Sequence, residues 1–247
     1  MTDQGLQFPK FYVTAPSPCP YLEGHTERKV FTELRGPDAA ALNEALGRVG
    51  FRRSQSVVYR PACENCTACI SVRVRAGDFT ISKSQRKVFK ANSDLKAEIR
   101  PPVVTDEQYT LLKSYLDTRH GDGTMADMTI EEFRDMVESS PVTTVLIEYR
   151  RAIDNELLAV ALTDELTDGL SMIYSFFAPD MTNRSIGTYI ILDHIARASI
   201  SAQPYVYLGY WVKDSRKMNY KDRFRPLEKL GPNGWYDADA ADTTNSA

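Results

Sequence analysis

The chain has 247 residues, 43% of them apolar and 26% charged, enough for one large core or two small ones joined tightly. No apolar run approaches the ~20 residues of a membrane span, and the first residues lack the charged and apolar regions of a signal peptide, so a cytoplasmic location is expected. The formal charge is only −3 but is spread unevenly: residues 1–100 carry 16 Lys+Arg against 10 Asp+Glu, net +6, and residues 101–247 carry 14 against 23, net −9. A basic lobe on an acidic chain fits a polyanionic partner held at one surface as well as it fits a solvated charged face.

Pro9, Pro16, Pro18 and Pro20 predict extended structure or turns at the start. Lys29–Leu34 reads as a strand, and Asp38 as the cap of a helix with Ala41, Leu42, Ala45, Leu46 and Val49 inward, closed by Gly50. A short strand Val57–Arg60 leads into a cysteine loop. Ile70–Arg75 then alternates strictly, with Ile70, Val72 and Val74 on one face and Ser71, Arg73 and Arg75 on the other. Lys83, Arg86, Lys87 and Lys90 add four cations beside Asn92, and Pro101-Pro102 marks the predicted lobe boundary.

Beyond it, Thr105 with Gln108 predicts a capping box and a helix with Tyr109, Leu112 and Leu116 inward. Thr129 caps Ile130–Val137. The strands Thr143–Tyr149 and Glu156–Thr163 form a hairpin about Asp154-Asn155. Leu170–Phe177 reads as a buried strand ended by Pro179, followed by the turn Arg184-Ser-Ile-Gly187. A helix then carries Ile191, Leu192, Ile195 and Ala198 on one face, and Pro204–Trp211 is a strand. The turn leaves unpaired N–H groups at a helix start, which suits a phosphate or an oxyanion, although an ordinary βα turn has the same pattern. Lys213–Lys229 holds seven Lys/Arg against three acids, and the small, acidic end of the chain, 236–247, is expected to be disordered.

Cys63, Cys66 and Cys69 place three thiols on one loop at C-x2-C-x2-C spacing, with Cys19 a remote fourth. A disulfide is a poor explanation for a reduced compartment, and the spacing leans toward an iron–sulfur cluster over zinc; buried, unligated cysteines are the plain alternative. Of the three histidines only His120, in a Gly-rich loop beside Arg119 and Asp122, is a candidate proton carrier.

Several segments, in order along nearly the whole chain, carry a resemblance: Gly50–Gln55, Tyr59–Cys63 with Cys66 and Cys69, Ser82–Arg86 with Asn92, Arg119–Met125, Ser171–Phe177, Arg184–Tyr189, Tyr205–Trp211, Met218–Lys221 and Arg225–Glu228. Together they resemble the aminoacyl-tRNA–protein transferases of the N-degron pathway, in their short bacterial, leucyl-transferring branch, which is similar to the eukaryotic arginyl enzymes. Departures are Ile186, Ser199–Ala202 and Lys87. The resemblance implies an α+β fold of the acyl-CoA N-acyltransferase (GNAT) type: a mixed sheet with flanking helices over 101–235, preceded by a basic, cysteine-containing lobe over 1–100. Tyr189 stands where CoA-dependent relatives keep a small residue, so CoA should fit poorly.

The implied reaction carries leucine from leucyl-tRNA to the α-amine of proteins beginning with Asp or Glu, marking them for degradation, with no cofactor required for the transfer. Tyr174, Arg184, Gly187 and Tyr207 are expected near the ester, with Asp164 or His120 as proton acceptor. Arg73, Arg75 and Arg119 are candidates for gripping the acceptor's carboxylate, with Tyr189 and Tyr210 beside the substrate. Lys83, Arg86, Lys87, Lys90, Lys217 and Lys221 are candidates for tRNA phosphates, and Cys19, Cys63, Cys66 and Cys69 for the cluster or zinc. Arginyl transfer to the same acceptors, a CoA-dependent acetyltransferase and a non-catalytic metal-bearing module are the competing readings.

Overall fold

A computed structural model describes residues 9–119 and 127–239. In chain order the strands are β1 (Tyr12–Val13), β2 (Ser17–Pro18), β3 (Thr26–Glu27) and β4 (Lys29–Glu33), then helix α1 (Ala39–Arg48), β5 (Arg52–Ser54), β6 (Val57–Pro61) and β7 (Ile70–Arg75). Helix α2 (Lys83–Ala91), β8 (Leu95–Arg100), α3 (Asp106–Arg119) and α4 (Ile130–Glu138) follow. Then come β9 (Thr144–Arg151), β10 (Leu157–Leu166), β11 (Gly169–Phe177), α5 (Ile186–Ile200), β12 (Tyr205–Trp211), β13 (Leu227–Gly231) and β14 (Gly234–Asp237).

Eight strands make one mixed sheet in the order β14-β13-β7-β12-β11-β10-β9-β8, and four make a smaller one, β1-β4-β6-β5. Only β11 and β12 run parallel, joined by the crossover helix α5; every other pair in the large sheet is antiparallel. One face of the sheet buries Val72, Val74, Leu170, Val206 and Leu208 against Ile191, Leu192, Ile195 and Ala198 of α5, the four positions expected from the 3.6-residue spacing. Farther along the sheet, Leu112 and Leu116 of α3 and Phe133 of α4 pack with Leu146, Val160, Leu162 and Phe176. The capping boxes at Ser82, Thr105 and Thr129 all form, each satisfying N–H groups that a helix start leaves free. The α+β arrangement implied by the resemblance, a mixed sheet with flanking helices, is the one observed.

The predicted division at residue 100 does not describe the sheet. β7 sits between β13 and β12, and β8 closes the far edge, so residues of the first hundred are built into the large sheet. The reason is the pattern of Ile70–Arg75: apolar on one face, it needs the α5 core to cover it. The predicted tail begins too early as well. Tyr236 and Asp237 pair with β13, and Ala238 is 1% exposed in the α5 core; residues 240–247 lie outside the described residues. In α1 the buried positions are Ala39 and Asn43, whereas Ala41, Ala45 and Val49 face out, and Asp38 makes no side-chain cap.

Candidate active site

The sheet opens between β11 and β12. Their shared register is only Gly169–Tyr205, Leu170–Val206 and Ser171–Tyr207, after which each strand continues without the other. Two bulges account for this. The β10/β11 register skips at Ile173, and the β12/β7 register skips at Leu208, so both strands bend just past their last common pair. At the closed end, a Cβ on Gly169 would lie 2.0 Å from the Tyr205 carbonyl oxygen, so only glycine lets the strands meet there.

At the far end of β11 the chain enters α5 through Ser185, held in the left-handed region at φ 53° with no side-chain cap. Its carbonyl accepts from the N–H groups of Thr188 and Tyr189. Gly187 follows in the first turn, where a Cβ would meet Phe177 only at ordinary contact distance, 3.7 Å, so its place in the motif is not imposed by packing. Tyr174 is half-buried on the bulged stretch of β11, and burial, with Tyr115 adding, pushes its hydroxyl pKa well up. It is held as a neutral donor.

The face of the sheet opposite α5 is apolar over β9–β11, where α3 and α4 cover it, and turns polar toward β12 and β7, where it meets the small sheet and α1. Arg53 on β5 chelates Asp164 on β10, Nε to Oδ2 at 2.5 Å and Nη2 to Oδ1 at 2.6 Å, and the Thr144 hydroxyl donates to Oδ1 at 2.7 Å. Asp164 is 0% exposed. It is an anchor between the two sheets and not the proton acceptor expected. Tyr207 on β12 donates to Asp168 Oδ2 at 2.9 Å and accepts from Arg73 Nη1 at 3.2 Å; burial first, then Asp168, pushes its pKa up to about 12.

Arg73 and Arg75 are not free to grip a carboxylate. Arg73 donates to Glu228 at 2.7 Å and is stacked on Tyr205 and Trp235, while Arg75 pairs with Asp78 and Asp237. Arg184 does not point at an ester: it clamps the carbonyl of Ala91 and the carboxylate of Asp94, whose pKa it lowers. Tyr189 packs edge-on against Phe89 and Tyr149 in the core. The Tyr210 hydroxyl bonds the Gly50 carbonyl at 2.8 Å, tying the sheets together. His120 and the side chain of Arg119 lie outside the described residues.

Of the six cations assigned to tRNA, Lys83, Arg86, Lys87 and Lys90 are exposed along α2, where Gln85, Val88 and Phe89 face inward. Gln85 Nε2 donates to the Arg223 carbonyl, joining α2 to the 213–223 segment on which Lys217 is also exposed. Lys221 does not belong to this face. It is buried, its Nζ donates to the Tyr210 carbonyl at 2.7 Å, and burial, with Arg52 nearby, pulls its pKa down to about 7.

Cys19, Cys63, Cys66 and Cys69 line one cavity with His25 and Glu27. Burial first, and then the neighbouring thiols, pushes the Cys69 thiol up to about 11. The soft donor set suits an iron–sulfur cluster or zinc, but among the described residues no three His, Cys, Asp or Glu side chains stand close enough together to hold a metal ion.

Sequence reasoning missed Arg52, Arg53 and Asp168. The available signal was a pair of adjacent arginines in a three-residue strand next to Phe51, where at least one must turn inward and need a partner.

The descriptions "Arginine-tRNA-protein transferase, N terminus" and "Arginine-tRNA-protein transferase, C terminus" match residues 17–87 and 107–231. Proteins named aspartate/glutamate leucyltransferase are similar over almost the whole length. The one from Afipia carboxidovorans is 57% identical, covering 97% of each chain, and the one from Rhodopseudomonas palustris is 56% identical, covering 98% of this chain and 97% of that one. Among solved structures, the C-terminal domain of a putative lysylphosphatidylglycerol synthetase from Agrobacterium fabrum matches with TM-score 0.43 and 12% identity, over 59% of this chain and 47% of that one. A tandem GNAT protein from the clavulanic acid biosynthesis pathway matches with TM-score 0.41 and 10% identity, over 86% of this chain and 58% of that one.

Proposed function

The chain belongs to the arginine-tRNA-protein transferase family, and from that premise we propose that it transfers leucine from leucyl-tRNA to the α-amine of proteins beginning with Asp or Glu. The observation that carries this reading is the 57% identity to an aspartate/glutamate leucyltransferase over 97% of both chains. The products are a leucyl-extended protein and free tRNA, and the added residue would mark the protein for degradation.

The chemistry needs little beyond placement. An aminoacyl ester is already activated, and an α-amine with a pKa of about 7.7–8.0 is partly neutral near pH 7. Holding the two together supplies most of the acceleration. In this reading the fork between β11 and β12 receives the aminoacyl end, with Tyr174 and the amide at Gly187 as donors to the developing oxyanion. The exposed cations of α2, with Lys217, hold the acceptor-stem phosphates. An iron–sulfur cluster or zinc on the four cysteines is kept as a proposal on donor chemistry, and no step is routed through it.

The test is a transfer assay with the full chain, tRNA charged with labelled leucine or arginine, and peptides beginning Asp, Glu, Lys or Ala. Leucine on the Asp and Glu peptides alone is the expected result. Arginine in its place selects the arginyl alternative, and no transfer from either tRNA ends the reading. Iron and zinc content of the same preparation reports on the cysteines.

A further inference from the structure

A cleft of about 340 Å3, open mouth included, lies between α1, β5 and the root of the β11/β12 fork. Ser171 and Tyr207, the last pair before the strands part, line it on one side, and Gly47, Arg48 and Arg52 on the other. Its charges are almost all compensated from within. Arg53 is chelated by Asp164; Glu44 accepts from the Thr167 hydroxyl and backbone and faces Arg48 at 3.8 Å.

Two groups remain. Arg52 has no carboxylate in ion-pairing range among the described residues, and its buried Nε has no hydrogen-bond partner. It makes one long contact, Nη2 to the Val72 carbonyl at 3.5 Å, and lies 5.2 Å from the Tyr207 ring, with the Lys221 side chain nearby as a second cation. Asp168, half-buried on the opposite wall, receives only the Tyr207 hydroxyl at 2.9 Å. A buried guanidinium without an acid partner is costly unless a ligand completes it.

We propose that this cleft is the acceptor subsite, with Arg52 taking the side-chain carboxylate of the N-terminal Asp or Glu and Asp168 holding its α-ammonium. The inference rests on the transferase reading above and names the residues that would set its specificity. One cation and one anion left over on facing walls complement a residue that carries both charges, and a forked guanidinium grips a carboxylate where an amide gains much less. The amine would then sit at Ser171 and Tyr207, where the fork that receives the ester begins.

Two variants and two peptides test it. With leucyl-tRNA fixed, Arg52→Gln should lower kcat/KM for an Asp-initiated peptide by about 100-fold, chiefly through KM, and bring the Asp-over-Asn preference close to one. Leucyl-tRNA binding should be unchanged. Gly47→Met serves if Arg52→Gln fails to fold. A Cβ at Gly47 meets nothing within 4 Å, so the side chain can enter the cleft without strain, and it should raise KM for both peptides while the melting temperature holds. A folded Arg52→Gln protein that still prefers Asp over Asn, or Gly47→Met with an unchanged KM, overturns the assignment. Calorimetry of wild type with Asp-Ala and Asn-Ala, without tRNA, separates the two levels. Binding of Asp-Ala alone, lost in Gly47→Met, supports the cleft even if no leucine is transferred, and equal or absent binding of both defeats it.

Discussion

Lys221 shows how burial redirects a residue whose charge suggested another role. Its ammonium lies under β12 where Leu208 bulges and Gly209 takes φ +79°, so the Tyr210 carbonyl is turned toward it. Between pH 7 and 9 the unfolded chain keeps this proton, near the ordinary lysine value of about 10.4, while the folded chain releases it near 7. The unfolded state then binds more protons, and stability rises with pH across that window. Below pH 7 both states are protonated and the folded state carries the whole cost of the buried charge. Above about pH 10 the buried Tyr207 and Tyr210, with raised pKa values, impose the opposite slope. Lys221→Met should remove the rise. Its urea midpoints at pH 7, 8 and 9 should run flat relative to wild type, with the stability difference between the two proteins changing by about 2 kcal/mol over the range. An unchanged slope would mean that Lys221 is charged in the folded protein.

At the scale of the element, α2 was read from the sequence only as four cations beside Asn92, although its two halves obey separate local rules that mark a helix. The Ser82–Gln85 capping box fixes the start, and the 3.6-residue period sends Lys83, Arg86, Lys87 and Lys90 outward while Val88 and Phe89 enter the core. None of the four cations has an ion-pair partner among the described residues, so their charge is available to phosphates. Replacing Lys83 and Lys87 by Ala should weaken leucyl-tRNA binding at low salt. Each lost phosphate contact should reduce the slope of log K against log [salt] by about 0.7–0.9. Binding titrations at several salt concentrations check this, and an unaltered slope removes α2 from the interface. The fork was not legible from local rules of that kind. Leu170–Phe177 and Tyr205–Trp211 were recognised as strands from composition, but strict alternation has no place for the bulges at Ile173 and Leu208. Those bulges part the strands, and the second puts Tyr207 and Tyr210, three residues apart, both toward the small sheet.

For the whole molecule, the sequence suggested a seam at Pro101-Pro102 because charge changes sign there, and the matched family segments also break between residues 87 and 107. Charge is a property of surfaces, however, and strand pairing depends on edges and apolar faces, so the seam in composition need not be a seam in folding. Arg73, Arg75 and Arg53, which make the first hundred residues basic, spend their charge on Glu228, Asp237 and Asp164 of the remainder. The charge asymmetry is therefore partly the signature of the two parts holding each other, a long-range pairing that residue spacing cannot reveal. A fragment of residues 101–247 would lack β7, and with it the strand that joins β13 to β12, as well as Val72 and Val74, both 0% exposed. It would also lose Arg53, the small sheet and α1 together, leaving Asp164 and the face around it uncovered. That fragment should fail to give a cooperative melt or a dispersed NMR spectrum. Adding residues 1–100 in trans should restore both if the ion pairs and β7 supply what is missing, whereas a fragment that folds alone would make the large sheet independent of its first two contributed strands.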